Sequence, residues 1–312
     1  MNQQYKTNLL ATVLIGTATI QTHAANELNT NTPNTTQARE SIMDVSLSYY
    51  MDQTDSFDKQ YDLEQKSIHL GINYWDKNYD NISSPSLKQA YLSLSGIELS
   101  SHQLDLESHP DLNEDEDYYL LRSSLNFGYR ASTNWRIDGY LGLAFNIADG
   151  LDNTHIRGEL EAGALMRYAP DGSFDNGFVY HIGAEQSYDF DGLVPTLAVA
   201  YKQENYTALV GLPETSFHYQ FTDKFSLKLE AKLQGKRGFF YNETTNNEEV
   251  EFQSTAIHSQ LLAQYQANES LAFQVGVGYL FSREVDIESD SIQINDTSSD
   301  GWTLFGGLTY KW

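Results

Sequence analysis

The chain has 312 residues, with 19 Lys plus Arg against 43 Asp plus Glu, for a formal charge of −24. A polyanion of this kind has no electrostatic reason to bind nucleic acid, itself a polyanion. The absence of cysteine excludes disulfides, zinc–thiolate centres, cysteine nucleophiles and a lipid anchor on an N-terminal cysteine.

Residues 1–24 read as a secretory signal peptide. Lys6 is the single charge before Glu27, an apolar stretch diluted by threonines runs from Leu9 to Ile20, and Thr22-His23-Ala24 leaves small residues at a cleavage point. Residues 25–40 are rich in Asn and Thr and poor in apolar side chains, which predicts a flexible periplasmic N-terminal segment. No later stretch is apolar for long enough to form a transmembrane helix.

From residue 41 to 312 the pattern changes to period two, which is the repeat of a strand and not of a helix. Met43, Val45, Leu47, Tyr49 and Met51 alternate with polar residues, and Ile68, Leu70, Ile72 and Tyr74 do the same. Further on, Leu125, Phe127 and Tyr129 oppose Arg122, Ser124 and Arg130. Trp135, Ile137, Leu141 and Leu143 oppose Arg136, Asp138 and Tyr140, and Ile156, Leu160 and Met166 oppose Arg157, Glu159, Glu161 and Arg167. Strands are expected at 42–52, 62–75, 86–107, 118–131, 135–148, 155–168, 177–190, 193–203, 206–212, 214–221, 225–239, 250–265, 270–283 and 300–312. Residues 86–107 leave open a division into two strands about Ser95-Gly96. Residues 211–214 leave open a tight loop or a kink at Pro213.

Alternation alone also fits a soluble sandwich. Three features point instead to an antiparallel transmembrane β-barrel of about 14 strands, with 12 or 16 also compatible. The strands are long enough to cross a bilayer when tilted. Aromatic residues cluster at strand ends: Trp135, Tyr168, Tyr201, Phe221, Phe225 and Tyr265 beside short turns, and Trp75, Phe145, Phe190, Tyr241, Phe281 and Trp302 beside longer loops. Tight links at 132–134, 203–205, 222–224 and 266–269 alternate with long polar links at 108–117, 242–249 and 284–299.

At the C-terminus, Trp302, Leu304, Gly306, Leu308, Tyr310 and Trp312 share one face and the chain stops on an aromatic residue. This resembles the C-terminal strand signature of bacterial outer-membrane proteins. The resemblance implies that Leu308, Tyr310 and Trp312 are an assembly signal, read by the barrel-assembly machinery as a partner. Residues 210–213 (Val-Gly-Leu-Pro), followed by residues 217–227 with their Thr-Asp-Lys turn, resemble uncharacterised porin-like outer-membrane barrel families of Gram-negative bacteria. That likeness implies fold and an outer-membrane location among lipid and lipopolysaccharide, without implying an activity.

If the apolar stripes meet lipid, the opposite stripes face a lumen. Arg122, Arg136, Arg157, Glu159, Glu161, Arg167, His181, Glu185, Lys228, Glu230, Lys232 and His258 are the candidate lumen-facing residues, with both signs interspersed. They fit either a static ion-paired network or a path for small solutes whose charges set selectivity. Small residues on the same stripes, among them Gly163, Gly276 and Gly278, either line an open channel or admit large side chains from elsewhere in the lumen. The alternative class is an outer-membrane lipid hydrolase or acyltransferase. No catalytic residue is assigned, because His181 with Glu185 and Ser254 with His258 lie about 13 Å apart along a strand, beyond a triad's reach. The acidic run at 286–290 lacks the glycine and glutamate of a calcium loop, so neither a metal nor a cofactor is expected. A passive channel or a structural barrel with acidic outer loops is the expected function.

Overall fold

A computed structural model describes residues 41–54, 64–76, 90–105, 115–149, 154–242, 248–290, 293–296 and 300–311. The expected signal peptide and N-terminal segment (1–40) and Trp312 lie outside these residues. The strands are β1 (Ser41–Thr54), β2 (Glu64–Asp76), β3 (Ala90–Asp105), β4 (Asp115–Arg130), β5 (Trp135–Asp149), β6 (Thr154–Tyr168), β7 (Gly177–Gln186) and β8 (Leu193–Gln203). They continue with β9 (Tyr206–Leu212), β10 (Glu214–Thr222), β11 (Phe225–Asn242), β12 (Glu248–Gln266), β13 (Leu271–Glu288), β14 (Gln293–Asp296) and β15 (Gly301–Lys311).

Sequence neighbours pair antiparallel all the way round, and β1 pairs with β15 from Asp44 opposite Lys311 to Thr54 opposite Gly301. β14 is a short addition to β13 alone, and β13 pairs directly with β15. The fold is therefore a closed antiparallel barrel of 14 strands. Closure is what hydrocarbon demands, since an open edge would leave backbone N–H and C=O groups without partners.

The wall is inside out compared with a water-soluble barrel. Leu160 is 75% exposed and Leu197 65%, whereas Asn146, His258 and Glu230 on the opposite face are 0–3% exposed. At the end that carries the two termini, here the near end, aromatic rings line the outer face from β5 to β11. Trp135 meets Tyr168 at 4.7 Å between centroids, Phe178 meets Tyr201 at 4.7 Å, and Phe221 meets Phe225 at 5.7 Å. The near-end turns carry their own caps. Thr222 Oγ1 accepts from Lys224 N and Phe225 N, and Asn268 Oδ1 accepts from Ser270 N and Leu271 N. Among the described near-end links, 169–176 is longer and folds into the barrel mouth, where Phe174 packs on Val179 and Ala200.

Several expected boundaries change. β3 is one strand, with the register slipping between Ser95 and Ile97. β7 ends at Gln186, and residues 187–192 turn into the lumen. The expected polar link at 284–299 contains the end of β13 and all of β14, because Val285, Ile287 and Ile294 have apolar partners there.

The largest departure is at the far end. β7 to β10 have only 10, 11, 7 and 9 residues, whereas β11, β12 and β13 have 18, 19 and 18. β10 accompanies β11 only as far as Lys232, and Leu233 N then donates to Pro213 O at 2.9 Å. Above that point β11 has lost its neighbour in the wall. The far ends of β11 and β12 (235–242 and 248–254), here called the hairpin tip, lean into the lumen and reach the opposite side. A Cβ added at Gly238 would stand 2.6 Å from the Tyr118 ring of β4, so only glycine allows this approach. Asn146 Nδ2 on β5 donates to Phe239 O at 3.3 Å. β4 and β11 are diametrically opposed in the strand order, so these contacts span the lumen.

Candidate functional site

Alternation sends every second side chain of each strand inwards, and the strand register decides which of these meet. Near the turn end, Arg136 Nε donates to Asp138 Oδ1 at 2.9 Å while Arg167 Nε lies 3.1 Å from Asp138 Oδ2. One carboxylate thus serves two guanidinium groups on adjacent strands. His181 is half-buried beside them, in register with Arg167.

Midway up, Lys228 Nζ lies 3.0 Å from Glu214 Oε1 and close to Glu230, and Lys232 Nζ lies 3.1 Å from Glu230 Oε1. Gln260 Nε2 also donates to Glu230. His258 is 2% exposed, with Nε2 2.8 Å from Thr303 Oγ1 and its ring edge-on to Tyr50. Across the barrel, Arg122 Nη2 lies 2.7 Å from Asp189 and Nε 3.6 Å from Glu161. Glu161 accepts from Tyr188 N at 2.8 Å, and Tyr140 Oη donates to Glu185 at 3.5 Å.

The small inward residues are covered by neighbours. Tyr140 lies over Gly163, Leu262 over Gly276, and His258 with Thr303 over Gly278. The inner wall alternates large and small side chains, and much of the lumen is side chain.

At the far end, Arg157 and Glu159 of β6 face the leaning hairpin. Arg237 Nη1 lies 3.1 Å from Glu159 Oε1 and Nη2 2.5 Å from Glu251 Oε1. Arg157 Nη1 lies 3.0 Å from Glu251 and 3.7 Å from Glu249. His155 stacks on Tyr241 with centroids 4.0 Å apart. These contacts tie β6 to β11 and β12 directly, over the tops of the four short strands between them.

Residues 187–190 fill the space beneath. Tyr188 packs on Leu120 and Ala144, and Asp189 O and the Phe190 ring lie against Gly235. The other side of the hairpin is dry: Tyr118, Phe240, Val250, Phe252, Val285 and Ile287 form one cluster, each 0–1% exposed.

The twelve charged or polar residues expected on the inner stripe lie on β4 to β7, β11 and β12. The register gathers them into separate groups and not into one ring. Arg237, Glu251, Asp189 and Tyr188 are central to the far-end arrangement, yet the alternation pattern singled out none of them. The nearest signal was the polar link expected at 242–249; its Glu249 instead belongs to strand β12 and, with Glu251, holds arginines. Phe190 and Tyr241, expected in an aromatic belt, are turned to Gly235 and His155. Of the C-terminal residues, Leu308 stands opposite Leu47 and Phe273, and Tyr310 opposite Val45 and Leu271, on the apolar outer face. Among the described residues no group of His, Asp or Glu is arranged to hold a metal ion.

One arrangement has the order of a hydrolase triad: Ser67 Oγ lies 3.1 Å from His69 Nε2, whose Nδ1 lies 3.7 Å from Glu98. A nucleophile must reach an acyl carbon, however, and Ser67 is 2% exposed. The carboxylate also stands beyond hydrogen-bond distance from the ring. These residues pack the inner wall beside Tyr50.

Residues 37–300 match the model of a protein family described as a domain of unknown function, DUF6268. No curated protein sequence matches the chain. Among solved structures it is similar to the COG4313 outer membrane channel from Pseudomonas putida F1, with 10% identity, 87% of this chain and 95% of that one covered, and a TM-score of 0.45. It is also similar to the P. putida toluene transporter TodX, with 10% identity, 87% and 89% covered, and a TM-score of 0.41. A third is the transport unit of the autotransporter AIDA-I from Escherichia coli, with 12% identity, 93% and 97% covered, and a TM-score of 0.41.

Proposed function

The chain belongs to the DUF6268 family, and for this member we propose a channel of the bacterial outer membrane that passes small solutes through a narrowed lumen. The observation that carries this reading is the polarity of the inner wall. Charged and amide side chains of both signs run along it from Arg136 and Arg167, through Lys228 and Glu230, to Arg157 and Arg237. A barrel that served only as a membrane anchor would be stabilised as well by an apolar filling, since buried ion pairs seldom outperform well-packed apolar groups. Half-exposed charges at the far end keep that end wet: the Arg157 side chain is 40% exposed and that of Glu249 49%.

In this reading the near end faces the periplasm and the far end the outside. The acidic far-end strands and loops then stand among lipopolysaccharide. The exported chain is inserted by the barrel-assembly machinery through its last strand. The decisive experiment is reconstitution of the refolded protein in planar bilayers. Discrete conductance steps are expected, small for a barrel of this strand number because the hairpin tip narrows the bore. A folded protein that stays silent at both polarities would leave only a structural barrel. A lipid-modifying activity is disfavoured by the burial of Ser67, and release of acyl chains from labelled lipid would reverse that judgement.

A further inference from the structure

The hairpin tip divides the far half of the lumen into two seams of different chemistry. Toward β4 and β13 the seam is closed by Tyr118, Phe240, Val250, Phe252 and Val285, none more than 1% exposed. A hydrated ion entering there must shed its water into hydrocarbon-like surroundings, which strongly disfavours that route. Toward β6 the seam is lined by Arg157, Glu159, Arg237, Glu249 and Glu251. Charged groups there replace part of an ion's hydration shell, and half-exposed side chains can swing without breaking a packed core. At the exposed lip, the ion pair of Arg157 with Glu249 is worth little and is screened by salt.

We propose that the conducting path at the outer end runs through the ionic seam between β6 and the hairpin tip, and that Arg157, Glu159, Arg237 and Glu251 form its charge filter. The permeants are small hydrated ions, or solutes of similar size carrying charge. This rests on the channel reading above. The two guanidinium groups balance the carboxylates of Glu159 and Glu251, and Glu249 at the lip leaves the seam as a whole slightly anionic, so the wild-type protein passes cations in modest preference. The sign of that preference is set locally and answers to substitution.

The test measures reversal potentials under a KCl gradient, for wild-type protein and variants whose folding is checked by heat-modifiable migration on gels. The double variant Arg157→Gln/Arg237→Gln should raise the potassium-to-chloride permeability ratio by about threefold or more. Glu159→Gln/Glu251→Gln should move it by a similar factor towards chloride. Should either pair fail to fold, Glu249→Gln, at the exposed lip of the same seam, should give a smaller shift towards chloride. Phe252→Leu, in the dry seam, should leave the ratio unchanged. Conductance with unaltered selectivity in all the charge variants would overturn the filter while the channel reading stands. A changed ratio in Phe252→Leu would move the path to the other seam and overturn it as well. Silence of the wild type and every variant would remove the channel itself, and the filter with it.

Discussion

Glu251 and Phe252 are consecutive residues of β12, and they face different worlds. The Glu251 carboxylate is one-third exposed and holds Arg157 and Arg237; Phe252 is fully buried against Tyr118, Val285 and Ile287. In the membrane-spanning part of the same strand, alternation separates lipid from lumen. In the tip both faces lie inside the protein, and alternation separates a dry core from a wet ionic seam. The lesson is that period two records only a difference between two faces. It does not say which face meets lipid.

The dry face should be the costlier to damage. Phe252→Ala removes a ring from a packed cluster and leaves a cavity, which for a site that cannot collapse costs about 3–5 kcal/mol. Denaturant unfolding in detergent should show that loss, with the hairpin tip gaining hydrogen exchange first. A loss under about 1 kcal/mol would mean that the cluster is loose and the two faces alike. The lipid face of the wall provides a second standard. Leu125 is 39% exposed to the surroundings of the barrel, and Leu125→Arg should cost about 2–4 kcal/mol near the bilayer midplane. The same measurement on folded barrels in lipid checks it; a neutral result would mean that this stripe is not in hydrocarbon.

Gly238 brings the hairpin tip against β4 on the opposite wall. A side chain at Gly238 has no room against the Tyr118 ring. Gly238→Val should therefore destabilise by about 1–3 kcal/mol through overpacking, and displacing the tip from β4 should raise single-channel conductance. A variant as stable and as narrow as the wild type would place the tip elsewhere than across the lumen.

How much of this was legible in the residues follows from the same physics. The wall was legible because lipid on one side and polar groups on the other enforce alternation over whole strands, as in Ile137, Leu141 and Leu143 against Arg136 and Asp138. The lean of the hairpin was not. In β13 the apolar residues Phe273, Val275, Val277, Phe281, Val285 and Ile287 all fall on odd positions and look like one continuous stripe. The structure breaks that stripe at Ser282, where φ is +49° and the pairing with β12 slips. Phe281 faces out at 41% exposure, whereas Arg283, Val285 and Ile287 turn in at 1%. One extra residue exchanges the faces, and nothing in the local composition marks it. The inward charged residues were legible one by one, but their partners were not. Arg237 and Glu159 are 78 positions apart, and only the lean of the tip brings them together.

The wet face should be the more forgiving in stability and the more responsive in solution conditions. Glu249 is about half exposed, its contact with Arg157 is 3.7 Å long, and it also accepts from Tyr241 Oη at 2.9 Å. Glu249→Gln keeps an acceptor for the hydroxyl and removes only the charge, so its cost should stay below about 1 kcal/mol. Raising the ionic strength should shrink even that, because the Debye length falls from about 10 Å at 0.1 M to about 3 Å at 1 M. The cost of Phe252→Ala should not shrink in the same way, since apolar burial is not screened. Measuring both variants at the two salt concentrations therefore separates the faces within one experiment. If the two costs respond to salt alike, the chemical division of the hairpin into a dry seam and an ionic one does not hold.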